Sequence, residues 1–179
     1  MRRLLWMVLV LLIVFIAFNT DVFAARKNCR KNPIYCKIVK IKPSINKKYA
    51  MKLSNVIYKY SKKYRIKSYL IVAIFAQESM FNMRATNCCT GLDNNGNKKT
   101  VCVDFGIGQI NYINMQKLDI DETQLFEDMD YSVHTSVKIL YDFKRRYAKR
   151  EKHWWTRYNS GSRYWRNHYY HLVSRFIKK

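Results

Sequence analysis

The sequence predicts an all-α domain, α+β at most, and three observations carry that prediction. Apolar residues recur at helical spacing from Tyr49 to Tyr64, at Met51, Leu53, Val56, Ile57, Tyr60 and Tyr64. The stretch Tyr69-Leu70-Ile71-Val72-Ala73-Ile74-Phe75-Ala76-Gln77-Glu78-Ser79 is apolar almost throughout, with no glycine or proline. The stretch beyond residue 130 repeats the helical pattern, and no long strand or internal repeat is found anywhere.

Taken in order, the chain opens with a predicted secretory signal over 1–24. Arg2 and Arg3 precede the apolar run Leu4–Phe18, which is short for a membrane span, and Val22-Phe23-Ala24 offers small residues for a cut after Ala24. An uncleaved N-terminal anchor is the alternative. The remaining residues, about 155, make one domain with a proper core. Residues 25–48 read as a basic, irregular lead-in with Pro33 and Pro43, and 49–179 as the folded domain.

The helix from Tyr49 to Tyr64 is amphipathic, with Lys52, Lys59, Lys62 and Lys63 mostly on its wet side. The next helix has Ser68 as its expected N-cap. Ile71, Ile74, Phe75 and Glu78 share one face, and Val72, Ala73 and Ala76 cover much of the rest, so it is expected to be buried nearly all round. Glu78 ends it. A carboxyl in that position is desolvated, which raises its pKa and lets it keep a proton for transfer. The plain alternative is a glutamate turned to solvent.

Asn87 to Asp104 has loop chemistry, with room for a small hairpin. Asp93 to Asn97 reads as a turn, because the glycine is out of register for a calcium loop. Asp104-Phe105-Gly106-Ile107-Gly108-Gln109-Ile110-Asn111 follows. Its two glycines allow close backbone approach, and Gln109 supplies both donor and acceptor. A helix is then predicted from about Tyr131 to Ala148, an aromatic one around Trp154, Trp155 and Tyr158, and a last one from about Ser162 to Ile177.

Charge and cysteines bound the setting. The chain has 34 Lys+Arg and 12 Asp+Glu, a net charge of +22, and losing residues 1–24 lowers it by only one. So basic a protein seeks anionic partners, which outside the cytoplasm are cell-wall polymers and membrane head groups. Nucleic acid is not expected for an exported protein, and some of the lysine is solvated surface. Export makes disulfides plausible. Cys29 and Cys36 can close a small loop, and Cys102 can pair with Cys88 or Cys89. The four histidines have no ligand spacing with these thiols, so no metal is predicted.

Three separated motifs resemble those of the lytic transglycosylases with a lysozyme-like fold. Glu78-Ser79 at the end of a buried helix is similar to that family's Glu-Ser. Gly106-Ile107-Gly108-Gln109-Ile110-Asn111 is similar to its Gly-Leu-Met-Gln, and Tyr158-Asn159-Ser160-Gly161 to its Ala-Tyr-Asn-Ala-Gly. Tyr169 and Val173 match the family's closing motif, and order and spacing fit over Met51 to Val173. Gly108 stands where the family has a bulky residue, and Arg157 where it has a small one. The wording from Asp104 to Asn111 looks most like the branch associated with secretion and conjugation.

The resemblance implies cleavage of the β-1,4 bond between N-acetylmuramic acid and N-acetylglucosamine in peptidoglycan, leaving a 1,6-anhydromuramyl end. Glu78 would be the general acid and base, with no cofactor. Ser79, Gly106, Gly108, Gln109, Tyr158 and Asn159 would bind substrate or orient Glu78, with Tyr158 near its carboxyl. Asp104 is the nearby candidate for a second carboxylate, which would make a hydrolase possible. Trp154 and Trp155 either stack on sugar or pack, and for Tyr169 core packing is the plain reading. The protein would act as a monomer in the periplasm or cell envelope and open the wall for a secretion or conjugation apparatus. The rival classes are a muramidase-type hydrolase and a non-catalytic wall-binding scaffold.

Overall fold

The computed structural model describes residue 29, residues 31–92, residue 95 and residues 97–178, apart from the side chains at 89, 92, 99, 101 and 102. The expected signal over 1–24 lies outside the described residues, as do Asp93, Asn94 and Gly96 of the expected turn. Helices α1 (Pro33–Ile41), α2 (Lys47–Tyr64) and α3 (Ser68–Ser79) come first. Strands β1 (Thr86–Leu92), β2 (Lys98–Phe105) and β3 (Ile110–Asn111) follow. Helices α4 (Tyr112–Leu118), α5 (Glu122–Glu127) and α6 (Met129–Tyr147) lead to a 3-10 turn at Trp154–Tyr158 and the last helix, α7 (Arg163–Lys178). The described residues are thus mostly helical, as the pattern predicts, with one small sheet.

The main core is built around α3. Ile71, Val72, Ala73, Ile74, Phe75 and Ala76 are all buried, so this helix has no wet face along its middle. It packs against α1, α2 and α7. Ser68 is the first residue of the helix rather than its cap. Lys67 occupies the cap position and makes no side-chain cap bond, because tertiary burial rather than local capping holds this helix in place. At its other end Met80 and Phe81 both take left-handed φ, 50° and 64°, and the Met80 and Phe81 N–H groups close on the Ala76 and Phe75 carbonyls. That double turn stops the helix one residue after Glu78-Ser79 and swings the chain towards the sheet.

The lead-in is not irregular as expected. Pro33–Ile41 is helical, with Asn32 capping through a bond from the Tyr35 N–H at 3.0 Å and Pro33 in the first turn. Ile34, Ile38 and Ile41 follow i, i+4, i+7 and are buried with Tyr35 in the main core. The pattern is only two turns long and is interleaved with lysines, so it is weak when read without the core it meets. A Cys29–Cys36 disulfide ties the approach to this helix.

The expected hairpin is there and is larger than a loop. β1 and β2 pair antiparallel from Thr86 opposite Phe105 to Leu92 opposite Lys98, with an irregularity between Cys89 and Thr90. β3 adds two residues, Asp104 facing Asn111 and Phe105 facing Ile110. The backbone register sets Cys89 opposite Cys102, and Cys88 is a free, exposed thiol, so the Cys88 alternative for a bond to Cys102 does not form. Phe105, Ile110, Met115 and Leu125 make a second, smaller core beneath the sheet. The described residues therefore form two apolar centres, and the segment Gly106–Gly108 crosses between them. Ile107, fully buried, belongs to the main core, while Phe105 and Ile110 on either side belong to the small one.

Candidate active site

Glu78 sits where the two cores meet, on the wall of a cavity of about 500 Å³. Asp104, Gln109, Asn111, Tyr158 and Asn159 line the same cavity. The carboxyl is placed there by the last turn of a buried helix, so nothing about its position depends on a mobile loop. Burial pushes its pKa up to about 7 from 4.5; a hydroxyl donor from Tyr169 pulls it down, and the negative charge of Asp104 pushes it up further. Near neutral pH both protonation states of Glu78 are populated, which suits a group that must give a proton and take one back.

The hydroxyl that touches Glu78 belongs to Tyr169, not to Tyr158. Tyr169 comes from α7, is buried, and donates a hydrogen bond to Glu78 Oε1. Burial and the neighbouring carboxyl push its own pKa well up, so it stays a donor. Tyr158 lines the same cavity, and its hydroxyl donates to the Gly108 carbonyl at 2.8 Å. It too is held protonated, first by burial and then by the charge of Glu78. The Tyr169 contact spans 91 residues in sequence, and the only sign of it was the match of Tyr169 to the closing family motif.

The glycine segment is held from several sides. The Ser79 hydroxyl donates to the Ile107 carbonyl at 2.8 Å, tying the end of α3 to this segment instead of pointing into the Glu78 cavity. Gly106 has φ +76° and its N–H bonds the Ala85 carbonyl at 2.9 Å. Gln109 donates through Nε2 to the carbonyls of Ala85 and Gly106, both at 3.0 Å. Gly108 is a glycine for lack of space: a Cβ there would lie 2.3 Å from Ser136 Oγ and 2.6 Å from Tyr158 Oη. Both glycines are buried, so they support the cavity floor from below rather than forming an open surface. Tyr158, standing on Gly108, fills the volume that a larger residue would take.

Asp104 is anchored by Asn111, whose Nδ2 donates to Asp104 Oδ1 at 2.9 Å across the β2–β3 pair. Asn159 is exposed at the cavity rim, just after the 3-10 turn. The tryptophans before it pack: Trp155 is buried against Tyr169 and Tyr170, and Trp154 leans on the main core. A larger hollow of about 750 Å³ lies beyond Ser79, between Lys42, Tyr49, Phe81 and Arg84. Glu78 is not among its described lining residues, and Glu127, the one carboxylate among them, is exposed and faces Arg84 at 3.8 Å. Among the described residues no group of histidine, cysteine and acidic side chains is arranged to hold a metal ion.

The transglycosylase SLT domain family matches residues 55–170. Protein IpgF of Shigella flexneri is 35% identical over 94 residues, which cover 51% of this chain and 56% of that protein. The chain thus spans little more than half the length of that relative. No solved structure matches.

Proposed function

Since the chain belongs to the transglycosylase SLT family, a family of lytic transglycosylases, we propose that it cleaves the β-1,4 bond between N-acetylmuramic acid and N-acetylglucosamine in peptidoglycan. One observation carries the reading: a carboxyl at the end of a buried helix, its pKa lifted to about 7, opening on a cavity of amide and phenol groups. Protonated Glu78 gives its proton to the glycosidic oxygen as the bond to the anomeric carbon breaks. The resulting carboxylate takes the proton of the muramic C6 hydroxyl, whose oxygen closes on that carbon. The product is a 1,6-anhydromuramyl end, the proton returns to Glu78 and no water enters. Tyr169 favours the carboxylate between the two steps by donating to Oε1. Gln109 and Ser79 hold the glycine segment in register, while Tyr158 and Asn159 face the sugar from the other wall.

Asp104 on the same cavity supports a second reading, a two-carboxylate hydrolase. Mass analysis of muropeptides released from purified peptidoglycan separates the two, because the anhydro product is one water lighter. Glu78→Gln should cut release by about 10²–10⁴-fold or more, since one group supplies both proton transfers. Reducing-end products from the wild type would refute the transglycosylase reading. Unchanged release by Glu78→Gln would refute the role of Glu78.

The substrate puts the site of action in the cell envelope. The wording of Asp104 to Asn111 extends the proposal to local wall opening for a secretion or conjugation apparatus. Cross-linking in intact envelopes tests that extension, and capture of no such apparatus protein would remove it.

A further inference from the structure

Helix α7 carries an apolar stripe that runs past the edge of the core. Trp165, Tyr169, Val173 and Phe176 follow i, i+4, i+8, i+11. The last three are 2%, 0% and 6% exposed, but Trp165 is 54% exposed. Among the described tryptophans it alone is open, since Trp155 is buried and Trp154 half-buried. Tyr164 beside it is 72% exposed, and the two rings meet edge to face with centroids 5.0 Å apart. His168 backs Trp165 in the same edge-on way at 6.1 Å. Two large rings thus meet edge to face, each more than half exposed among the described residues.

The place of this cluster is set by Tyr169. Trp165 lies one helical turn before the residue whose hydroxyl bonds Glu78, on the same stripe. Helical side chains lean towards the N-terminus of their helix, so Trp165 covers ground ahead of α7. The turn that runs directly into α7, 159–162, begins with Asn159, which lines the Glu78 cavity. Arg166 fixes the turn by donating to the Gly161 carbonyl at 3.1 Å. Arg163, exposed, adds a cation at the same end.

We infer that Trp165 and Tyr164 form a stacking platform for the glycan strand of peptidoglycan just outside the Glu78 cavity, extending the substrate site by at least one sugar. This rests on peptidoglycan being the substrate. A pyranose presents an apolar face of C–H groups that seats on an open aromatic ring, while its hydroxyls stay wet. The stem peptides on the muramyl residues carry carboxylates, which suit Arg163. A membrane surface also attracts tryptophan and arginine, but an interfacial helix needs an apolar face along its length. Here the stripe is spent on the core from Tyr169 onwards, leaving only the first turn of α7.

The test uses Glu78→Gln protein, so that binding is read without cleavage, and soluble glycan strands from amidase-treated peptidoglycan. Strands should change tryptophan emission, and Trp165→Ala in that background should abolish the change and weaken binding by about tenfold. Trp165→Phe should recover most of the affinity. With Glu78 restored, Trp165→Ala should raise KM and leave kcat near the wild-type value. The platform is refuted if Trp165→Ala binds strands as its parent does, or if Glu78→Gln binds no strands. It is also refuted if the loss appears only with phosphatidylglycerol vesicles, which would make this a membrane contact. Strand binding through Trp165 by a wild type that releases no product would sustain the platform and overturn the proposed reaction, so the two fail separately.

Discussion

Glu78→Gln should make the folded protein more stable as it destroys activity, and should do so only at high pH. Glu78 in the folded state holds its proton up to about pH 7, whereas the unfolded chain loses it near 4.5. The folded state therefore binds more protons between those values, and stability falls as pH rises. The contribution is fully present below 4.5, declines between 4.5 and 7, and is constant above 7. Each pH unit in that window costs about 1.4 kcal/mol, or about 3 kcal/mol across it. Glutamine fills the same volume, does not titrate, and can still accept the Tyr169 hydroxyl. Urea midpoints for both proteins at pH 4 and pH 8 give the variant-minus-wild-type difference, in which the other titrating groups cancel. It should be near zero at pH 4 and about 3 kcal/mol in favour of the variant at pH 8, or about 6–12 °C in Tm for a chain of this size. A difference that stays flat from pH 4 to pH 8 would mean that the carboxyl is well solvated, and the argument for Glu78 as a neutral-pH acid would fall with it.

The other predictions concern the neighbours of this carboxyl. Tyr169→Phe removes the donor that favours the carboxylate, so the descending limb of kcat/KM against pH should move up by about one pH unit; an unmoved limb would reduce Tyr169 to packing. Asp104→Asn removes a negative charge that raises the Glu78 pKa, so the limb should move down while the product stays 1,6-anhydro, and a dead variant would favour the hydrolase. Gly108→Ala puts a methyl group against Ser136 and Tyr158 and should cost about 1–3 kcal/mol in urea denaturation; wild-type stability would show that Tyr158 is free to move aside.

What the sequence made legible was whatever one element could encode by itself. The Tyr69–Ser79 run is too apolar to face water on any side, so burial of α3 and the placing of Glu78 at its end follow from composition and period alone. Asn87–Asp104 shows its turn residues, and the glycines at 106 and 108 mark a close approach, though not what approaches. α1 was hidden because its three isoleucines alternate with lysines over only two turns. Its helix is stabilised by α2 and α3, which a local reading does not contain.

Tyr169 was hidden for a related reason. On a helix wheel it is one more aromatic on the inward face of α7, beside Val173 and Phe176, and packing explains it fully. Its hydroxyl acquires a role only because α7 lies along α3, 91 residues earlier in the chain. The 3-10 turn, packed on α6, sets Tyr158 on Gly108, and the start of α7 leaves Trp165 beyond the core edge. Three aromatic residues of similar composition therefore have different places, one on the carboxyl, one in the wall and one outside. Residue type cannot separate them; the element that carries each, and what that element packs against, can.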